Sequence, residues 1–203
     1  MNKPRILWNL FHPNFKESRG NRIIFDAIKD IENITKNNLY EKYPNGVIDS
    51  KHEQELLTSH DLIVFQHPFY WYSSPALMKE WQDKVLEAGF AYPPKLGKAL
   101  HGKHWLSVIT TGGPDWSYRS GGYNNFTMSE LLRPFQQTAY LCGMKWISPF
   151  IIHGVLPADY EEIKATEDQV IEKMAEELLN FLNSYDLDEI HSIEPVTPPH
   201  FLN

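Results

Sequence analysis

The sequence of 203 residues contains a single cysteine and no long apolar run. One cysteine cannot form an internal disulfide, which agrees with a reducing compartment. A membrane helix needs about 20 consecutive apolar residues, so we expect no membrane span. The N-terminal segment lacks the apolar stretch and the small-residue cleavage site of a signal peptide. These absences together favour a cytoplasmic location.

Basic residues are also few, since 19 Lys and Arg face 26 Asp and Glu, which gives a net charge of −7. This balance argues against binding to nucleic acid or to an anionic membrane surface. The sequence has neither GxGxxG nor GxxxxGK[ST], so it indicates neither that type of dinucleotide-binding fold nor a P-loop NTPase. A small anionic ligand in a local basic pocket remains compatible with the composition.

Side chains that could bind a metal are scattered along the chain. Among nine histidines, only His101 and His104 form a close pair, and no acidic or cysteine partner stands at ligand spacing. We therefore expect no metal site. Cys142 follows Leu141 at an apolar helix end, which is typical of a small buried hydrophobe rather than a nucleophile.

Segments of strand character alternate with segments of helical character from end to end. The apolar patterns predict strands at 6–10, 35–40, 61–65, 105–109 and 146–152, and helices at 18–31, 53–57, 75–85, 127–141 and 159–185. Such alternation indicates an α/β fold with a five-stranded parallel sheet and helices on both faces. We expect a single domain over residues 1–185, followed by an extended tail over 186–203.

Parallel sheets bind ligands beyond the carboxyl ends of their strands, and polar or glycine-rich loops follow the first, third and fourth predicted strands. The first loop runs from His12 to the segment Ser18-Arg19-Gly20-Asn21. A helix N-terminus offers free amides, so this segment could bind a phosphate. Alternatively, Ser18 only caps a helix and the arginines are solvated.

The second and third loops bring aromatic and glycine residues to the same edge. Phe69-Tyr70-Trp71-Tyr72 would form a wall for a flat heteroaromatic ring, or else Trp71 and Tyr72 fill the core under the loop. Thr110-Thr111-Gly112-Gly113 could present amides to the carbonyl edge of such a ring, or form a plain turn. Tyr118 and Tyr123 follow, either over the ring or at the surface.

Four blocks between residues 6 and 154 resemble the flavodoxin-like NAD(P)H:quinone oxidoreductases, and in particular the bacterial branch that includes the ancillary quinone reductase of the glutathione-gated potassium efflux system. These blocks are HPxxxxSRGNR, HDLIVFQHPFYWYSSPALMKEWQDKV, ALHGKHWLSVITTGG and LLRPFQQTAYLCGMKWISPFIIHG. The resemblance implies a sheet of order 2-1-3-4-5. It also implies FMN, with FAD as an alternative, a donor that is NADPH or NADH, and a quinone acceptor.

The resemblance also assigns roles to individual residues. It implies that the flavin phosphate and ribityl chain are bound by His12, Ser18, Arg19, Gly20 and Asn21. It implies that the ring is flanked by Phe69, Tyr70, Trp71 and Tyr72. Its pyrimidine edge would be bound by Thr110, Thr111, Gly112 and Gly113. Tyr118 matches a catalytic tyrosine beside the flavin. The animal enzymes place a histidine shortly after that tyrosine, but the corresponding position here is near Asn124. We therefore do not expect a mechanism assisted by a histidine at that position.

Two functions follow from the resemblance. The first is a two-electron reductase, in which hydride passes from nicotinamide to flavin N5 and then to a quinone by a ping-pong mechanism. The second is an ancillary subunit of a potassium efflux transporter, peripheral to the inner membrane, with the flavin site as a sensor. The apolar residues Leu77, Met78, Trp81 and Val85, with the aromatic segment 89–94, further predict a homodimer whose interface lies next to the flavin.

Overall fold

Buried apolar segments form a parallel sheet at the centre of the molecule. The computed structural model describes residues 3–93, 97–155 and 168–187. Its strands are β1 (Ile6–Leu10), β2 (Ile34–Asn38), β3 (Leu62–Pro68), β4 (His104–Thr110), β5 (Lys145–Trp146) and β6 (Phe150–Ile152). They pair in the order β2-β1-β3-β4-β5, with β6 also on β4, and every pair is parallel. The predicted fold and strand order are confirmed.

The helices are α1 (Gly20–Ala27), α2 (Leu39–Lys42), α3 (Ser50–Ser59), α4 (Ala76–Val85), α5 (Met128–Leu131), α6 (Arg133–Leu141) and α7 (Asp168–Ser184). Within the three described ranges, no helix is both long and apolar enough to cross a membrane. The predicted start of the last helix at 159 and the tail beyond 187 lie outside the described residues.

Several predicted boundaries were wrong for local reasons. The second strand ends at Asn38, and Tyr40 lies in α2. The third strand continues through Gln66 and His67, which the sequence had suggested as loop residues. The predicted helix 127–141 is two helices, and the first begins with a capping box between Thr127 and Glu130.

The fifth strand is interrupted by Pro149. Trp105 pairs with Trp146, whereas Val108 pairs with Phe150, so the outer strand contains one more residue than β4 over this interval. A proline has no amide hydrogen to donate and is tolerated at a sheet edge or a bulge. The predicted continuous strand 146–152 is therefore two short segments that both pair with β4.

Helices cover the sheet on both faces and bury two apolar clusters. On one face, β-strand residues such as Ile63 and Trp105 pack with α3, α4 and α6. On the other face, residues such as Trp8 and Val64 pack with α1 and α7. Cys142 is 1% exposed in the first cluster, and burial raises the pKa of its thiol to about 11, which agrees with a structural role.

Helix α4 uses its apolar side within its own chain. Leu77 is 8% exposed, and Met78, Trp81 and Val85 are fully buried in the first cluster. The expectation that this helix carries surplus apolar surface for a partner is therefore wrong. The periodicity identified a buried face correctly, but it could not show that the covering element belongs to the same chain.

A buried carboxylate joins the edge of the sheet to its helices. Glu53 on α3 has no exposed side-chain area and accepts hydrogen bonds from Asn37 Nδ2 (2.8 Å), Lys42 Nζ (2.9 Å), Tyr43 Oη (2.8 Å) and Trp81 Nε1 (3.0 Å). Four donors on β2, α2, the residue after α2, and α4 therefore depend on one side chain. A buried carboxylate needs such partners, because an unpaired one would be strongly disfavoured.

We predict that Glu53→Ala lowers the free energy of unfolding by about 2–4 kcal/mol, because it leaves several buried donors without an acceptor. Glu55→Ala, on the exposed side of the same helix, is the control and should change it by less than about 0.5 kcal/mol. Urea denaturation followed by circular dichroism measures both. Equal midpoints for the two variants would contradict a stabilising role of this network.

Candidate functional site

The carboxyl ends of β1, β3 and β4 lie side by side, and the three predicted loops meet there. Leu10 pairs with Gln66, and Pro68 pairs with Thr110, so the strands end in register. Because neighbouring parallel strands point the same way, the loop before α1, the aromatic loop after β3 and the glycine loop after β4 share one edge. The structure thus brings the predicted site segments together.

A chain of buried hydrogen bonds connects these segments. Trp8 Nε1 donates to Gln66 Oε1 (2.7 Å), and Gln66 Nε2 donates to the carbonyl oxygen of Asn21 (2.7 Å) and to Asn21 Oδ1 (3.2 Å). Asn21 Nδ2 donates to Thr110 Oγ1 (2.8 Å). All four residues are at most 5% exposed. The side chains of Asn21 and Thr110 therefore hold the loops in place, and the backbone amide of Asn21 faces the site at the start of α1.

The N-terminus of α1 differs from its predicted form. Arg19 is the N-cap residue and makes no side-chain cap, whereas Ser18 ends the preceding turn Phe15–Glu17. Ser18 is therefore not the helix cap. Among the described residues, the amides of Gly20, Asn21 and Arg22 have no hydrogen-bond acceptor. The helix thus presents three donors and its positive dipole end to this edge.

Two contacts fix the position of this helix end. Gly20 packs so closely that a Cβ there would lie 2.6 Å from Val155 Cγ1, which only a glycine avoids. Arg19 Nε donates to Asp168 Oδ1 (2.5 Å) at the start of α7, so the interpretation of this arginine as simply solvated is wrong. Its predicted phosphate contact stays a prediction.

His12 is buried beside this edge of the sheet rather than exposed to solvent. Its side chain is 7% exposed, its Nδ1 accepts from the amide of Asn14 (3.2 Å), and its ring meets Phe15 and Tyr70 edge-on. Burial lowers the pKa of His12 below its usual value. His12 is therefore suited to a neutral contact at neutral pH.

The aromatic loop is exposed and has a strained backbone. Trp71 is 92% exposed and Tyr72 49% exposed, so the interpretation of these rings as core residues is wrong. Both have positive φ, 50° and 60°, a conformation that costs non-glycine residues about 1–2 kcal/mol each. In the described part of the chain their amides have no acceptor. The strain and the exposed rings favour a binding role over a plain turn.

Phe69 anchors this loop to its neighbour. Its amide donates to the carbonyl oxygen of Thr110 (2.8 Å), and its ring packs edge-on against Tyr72 and Tyr118. Tyr72 Oη also donates to Asn124 Oδ1 (3.2 Å). The position compared with the animal histidine thus lies next to the aromatic loop. Tyr123 is 84% exposed.

The glycine loop is held from one side and open on the other. The amide of Thr111 donates to the carbonyl oxygen of Ile152 (2.9 Å), and Thr111 Oγ1 donates to that of Gly113 (2.8 Å). Among the residues described, the amide of Gly112 has no backbone acceptor, and the amide of Gly113 faces the hydroxyl of Tyr118. A Cβ on Gly113 would lie 3.0 Å from Tyr118 Oη, so a bare backbone is needed under this tyrosine.

Tyr118 and His153 lie together at this edge. Their ring centroids are 5.3 Å apart, and burial raises the pKa of Tyr118 and lowers that of His153. No histidine stands near Asn124, but His153 from another element lies beside Tyr118. The sequence signal existed, because His153 directly follows the last predicted strand. The strand-end rule would have identified His153 if it had been applied to the fifth strand as well as to the first, third and fourth.

The available donors suit one ligand type. Free amides at the N-terminus of α1 match a phosphate, and free amides in the aromatic and glycine loops match the carbonyl edge of a flat ring. Exposed aromatic side chains beside them supply apolar surface for that ring. These residues therefore fit a flavin mononucleotide, with the phosphate at the helix and the ring between the two loops.

Comparisons with known proteins agree with this geometry. The model of a family described as having a flavodoxin-like fold matches residues 4–178. The chain is 50% identical over 150 residues to the glutathione-regulated potassium-efflux system ancillary protein KefG of Yersinia pestis, which covers 74% of this chain and 82% of that protein.

Two solved structures share the fold over most of both chains. General stress protein 14 of Treponema denticola, in complex with FMN, is 35% identical, covers 89% of this chain and 98% of its own, and has a TM-score of 0.79. An NADPH-quinone reductase from P. pentosaceus is 27% identical, covers 90% and 99%, and has a TM-score of 0.78.

We predict that Asn21→Ala lowers the free energy of unfolding of the flavin-free protein by about 1–3 kcal/mol, because Thr110 Oγ1 loses its buried donor and Gln66 Nε2 keeps only the backbone carbonyl of residue 21. Asp26→Ala, on the exposed face of α1, is the control. Chemical denaturation monitored by tryptophan fluorescence compares the two. An Asn21→Ala protein as stable as the control would show that the buried chain does not hold the loops.

Proposed function

The chain belongs to the flavodoxin-like NAD(P)H:quinone oxidoreductase family, and we propose that it is an FMN-dependent NAD(P)H:quinone oxidoreductase. The observation that carries this proposal is the cluster of free amide donors from three loops at one edge of the sheet. FMN is proposed over FAD because the complex of the Treponema denticola relative contains FMN. The donor, NADPH or NADH, stays open.

The phosphate would lie at the N-terminus of α1. The amides of Gly20, Asn21 and Arg22 point along the helix axis, where the dipole favours an anion. Ser18 and His12 flank this end with a hydroxyl and an imidazole. Arg19 supports the site through its position at the N-cap, with its ion pair to Asp168 tying the helix start to α7.

The ring would lie between the two other loops. Amides of Trp71 and Tyr72 on one side, and of Gly112 and Gly113 on the other, would hydrogen-bond its polar edge. Because these amides are fixed by the fold, they need no reorganisation when negative charge develops on the ligand. Phe69 would hold the two loops together, because its ring packs against Tyr72 and Tyr118 and its amide donates to the carbonyl oxygen of Thr110.

Tyr118 would act on the reacting edge of the ring. Burial raises the pKa of Tyr118, so its hydroxyl stays protonated at neutral pH and can donate a hydrogen bond. A flavin held there would supply two-electron redox chemistry at its N5 between a nicotinamide donor and a quinone acceptor. The protein would orient the two substrates one after the other in the same pocket. Because the first must leave before the second binds, the kinetics should be ping-pong.

A second copy of the chain would cover the exposed aromatic rings. Trp71, Trp116 and Tyr123 are each more than half exposed around the site, an apolar surface that a soluble protein normally covers. This surface, rather than α4, now supports the proposed homodimer. A solution mass of 23.7 kDa, that of one chain, measured by light scattering for fully active enzyme would contradict it.

We predict that the purified protein carries one FMN per chain. Heat release followed by mass spectrometry identifies the flavin, and NAD(P)H oxidation with a quinone measures the activity. Apo protein prepared by denaturant washing should regain both colour and activity with FMN. A protein that binds neither FMN nor FAD after such treatment would overturn the proposed function.

We predict that Tyr118→Phe slows reduction of the bound flavin by roughly ten- to a hundredfold, about 1.4–2.8 kcal/mol, while flavin affinity is unchanged. Stopped-flow absorbance measures the step. The rate should vary little between pH 6 and 8, because burial lowers the pKa of His12 and His153 and places that of His67 at about 4. An unchanged rate of flavin reduction in Tyr118→Phe would remove Tyr118 from the mechanism. Intersecting double-reciprocal lines for the wild type would contradict a single shared pocket.

A second function is supported by the 50% identity to KefG over 150 residues. In this alternative the chain is a cytoplasmic ancillary subunit of a potassium efflux transporter, with its flavin site as a sensor. Potassium efflux from cells lacking the chromosomal copy of this chain discriminates the functions. Efflux restored by the wild type and by Tyr118→Phe alike would favour the ancillary role. Efflux that neither protein changes would support only the reductase function.

A further inference from the structure

We propose that His153 is a positioning residue of the flavin site, which holds Thr111 and Tyr118 and thereby aims the amides of Gly112 and Gly113. This inference rests on the proposed function and adds a residue that lies on none of the three predicted loops. His153 directly follows β6 and reaches the glycine loop from the outer side of the sheet.

Thr111 is hydrogen-bonded both to its own loop and to His153. Thr111 Oγ1 lies 2.8 Å from the carbonyl oxygen of Gly113, to which it can donate. A contact of 3.0 Å joins Thr111 Oγ1 to His153 Nδ1, in which the imidazole tautomer sets the donor. His153 thus fixes the orientation of the hydroxyl, and the hydroxyl fixes the turn that contains Gly112 and Gly113.

The other ring nitrogen of His153, Nε2, does less to hold the side chain in place. His153 Nε2 lies 3.4 Å from Asp115 Oδ1, but the Asp115 side chain is 90% exposed, so solvent screens this pair. Burial lowers the pKa of His153, and the nearby Asp115 carboxylate and Gly113 carbonyl only partly offset that effect. The bond to Thr111, which a neutral imidazole makes, is therefore the contact that matters.

His153 also confines Tyr118. The ring of Tyr118 packs against that of His153, with centroids 5.3 Å apart, and against that of Phe69, with centroids 6.2 Å apart. Two rings on different elements limit the rotation of the tyrosine. One side chain after β6 thus controls both the amides and the hydroxyl that would face the flavin.

The fold does not depend on this side chain. The backbone after β6 is joined to the glycine loop by Gly154 N to Gly113 O (3.1 Å) and by Val155 N to Thr111 O (2.8 Å). These bonds remain when the imidazole is removed. A His153 variant should therefore fold normally, and its defect should appear in the binding of the flavin.

The test is a titration of apo protein with FMN, followed by flavin fluorescence and by the visible absorption spectrum, for wild type, His153→Ala and His153→Asn. His153→Ala should bind roughly tenfold more weakly, the effect of one net hydrogen bond, and shift the spectrum. His153→Asn places an amide nitrogen near the position of Nδ1 and should recover most of the affinity. His101→Ala, an exposed histidine before β4, is the control and should bind as wild type does.

Equal affinity and an equal spectrum for His153→Ala and wild type would overturn this inference, as would a His153→Asn protein as weak as His153→Ala. A fall in the unfolding midpoint of apo His153→Ala that matches its loss of binding would assign the residue a structural role instead, and would also overturn it. Failure of wild type itself to bind FMN would contradict the proposed function and is thus distinguishable.

Discussion

A buried chain of side-chain hydrogen bonds from Trp8 through Gln66 and Asn21 to Thr110 joins β1, β3, α1 and β4, and the geometry of the site depends on it. Each member is nearly inaccessible to solvent, so an unpaired group would be costly and the chain admits few arrangements. It ties the start of the first helix to the ends of two strands. Loops that are distant in sequence therefore present their free amides at fixed separations.

The site combines this buried chain of hydrogen bonds with the aromatic loop, which is exposed and has a strained backbone. Trp71 and Tyr72 adopt positive φ although neither is glycine, and their rings extend into solvent. The buried chain and the packing of Phe69 hold the ends of this loop, so the strain is maintained by the core beneath it. Binding energy for a flat ligand would thus come from preformed donors and apolar faces rather than from loop closure.

Much of the fold could be predicted from sequence because buried parallel strands read as continuous apolar runs, as at 61–65 and 105–109. The strand-end rule then located three loops of the site. The rest depended on tertiary contacts. Gln66 is polar yet lies within β3, α4 is covered by its own chain, and His153 meets Tyr118 only because β6 pairs beside β4. Periodicity shows that a segment is buried, but not which element covers it or which side chains meet there.

The central claim is that three loops form one flavin site, and amide chemical shifts of the ¹⁵N-labelled apo protein during titration with FMN test it most directly. The account predicts that the largest changes fall together on Gly20 and Asn21, on Trp71 and Tyr72, and on Gly112 and Gly113, with one common dissociation constant. Changes confined to a single loop, or centred on the opposite end of the sheet near Lys103 and Lys145, would contradict it.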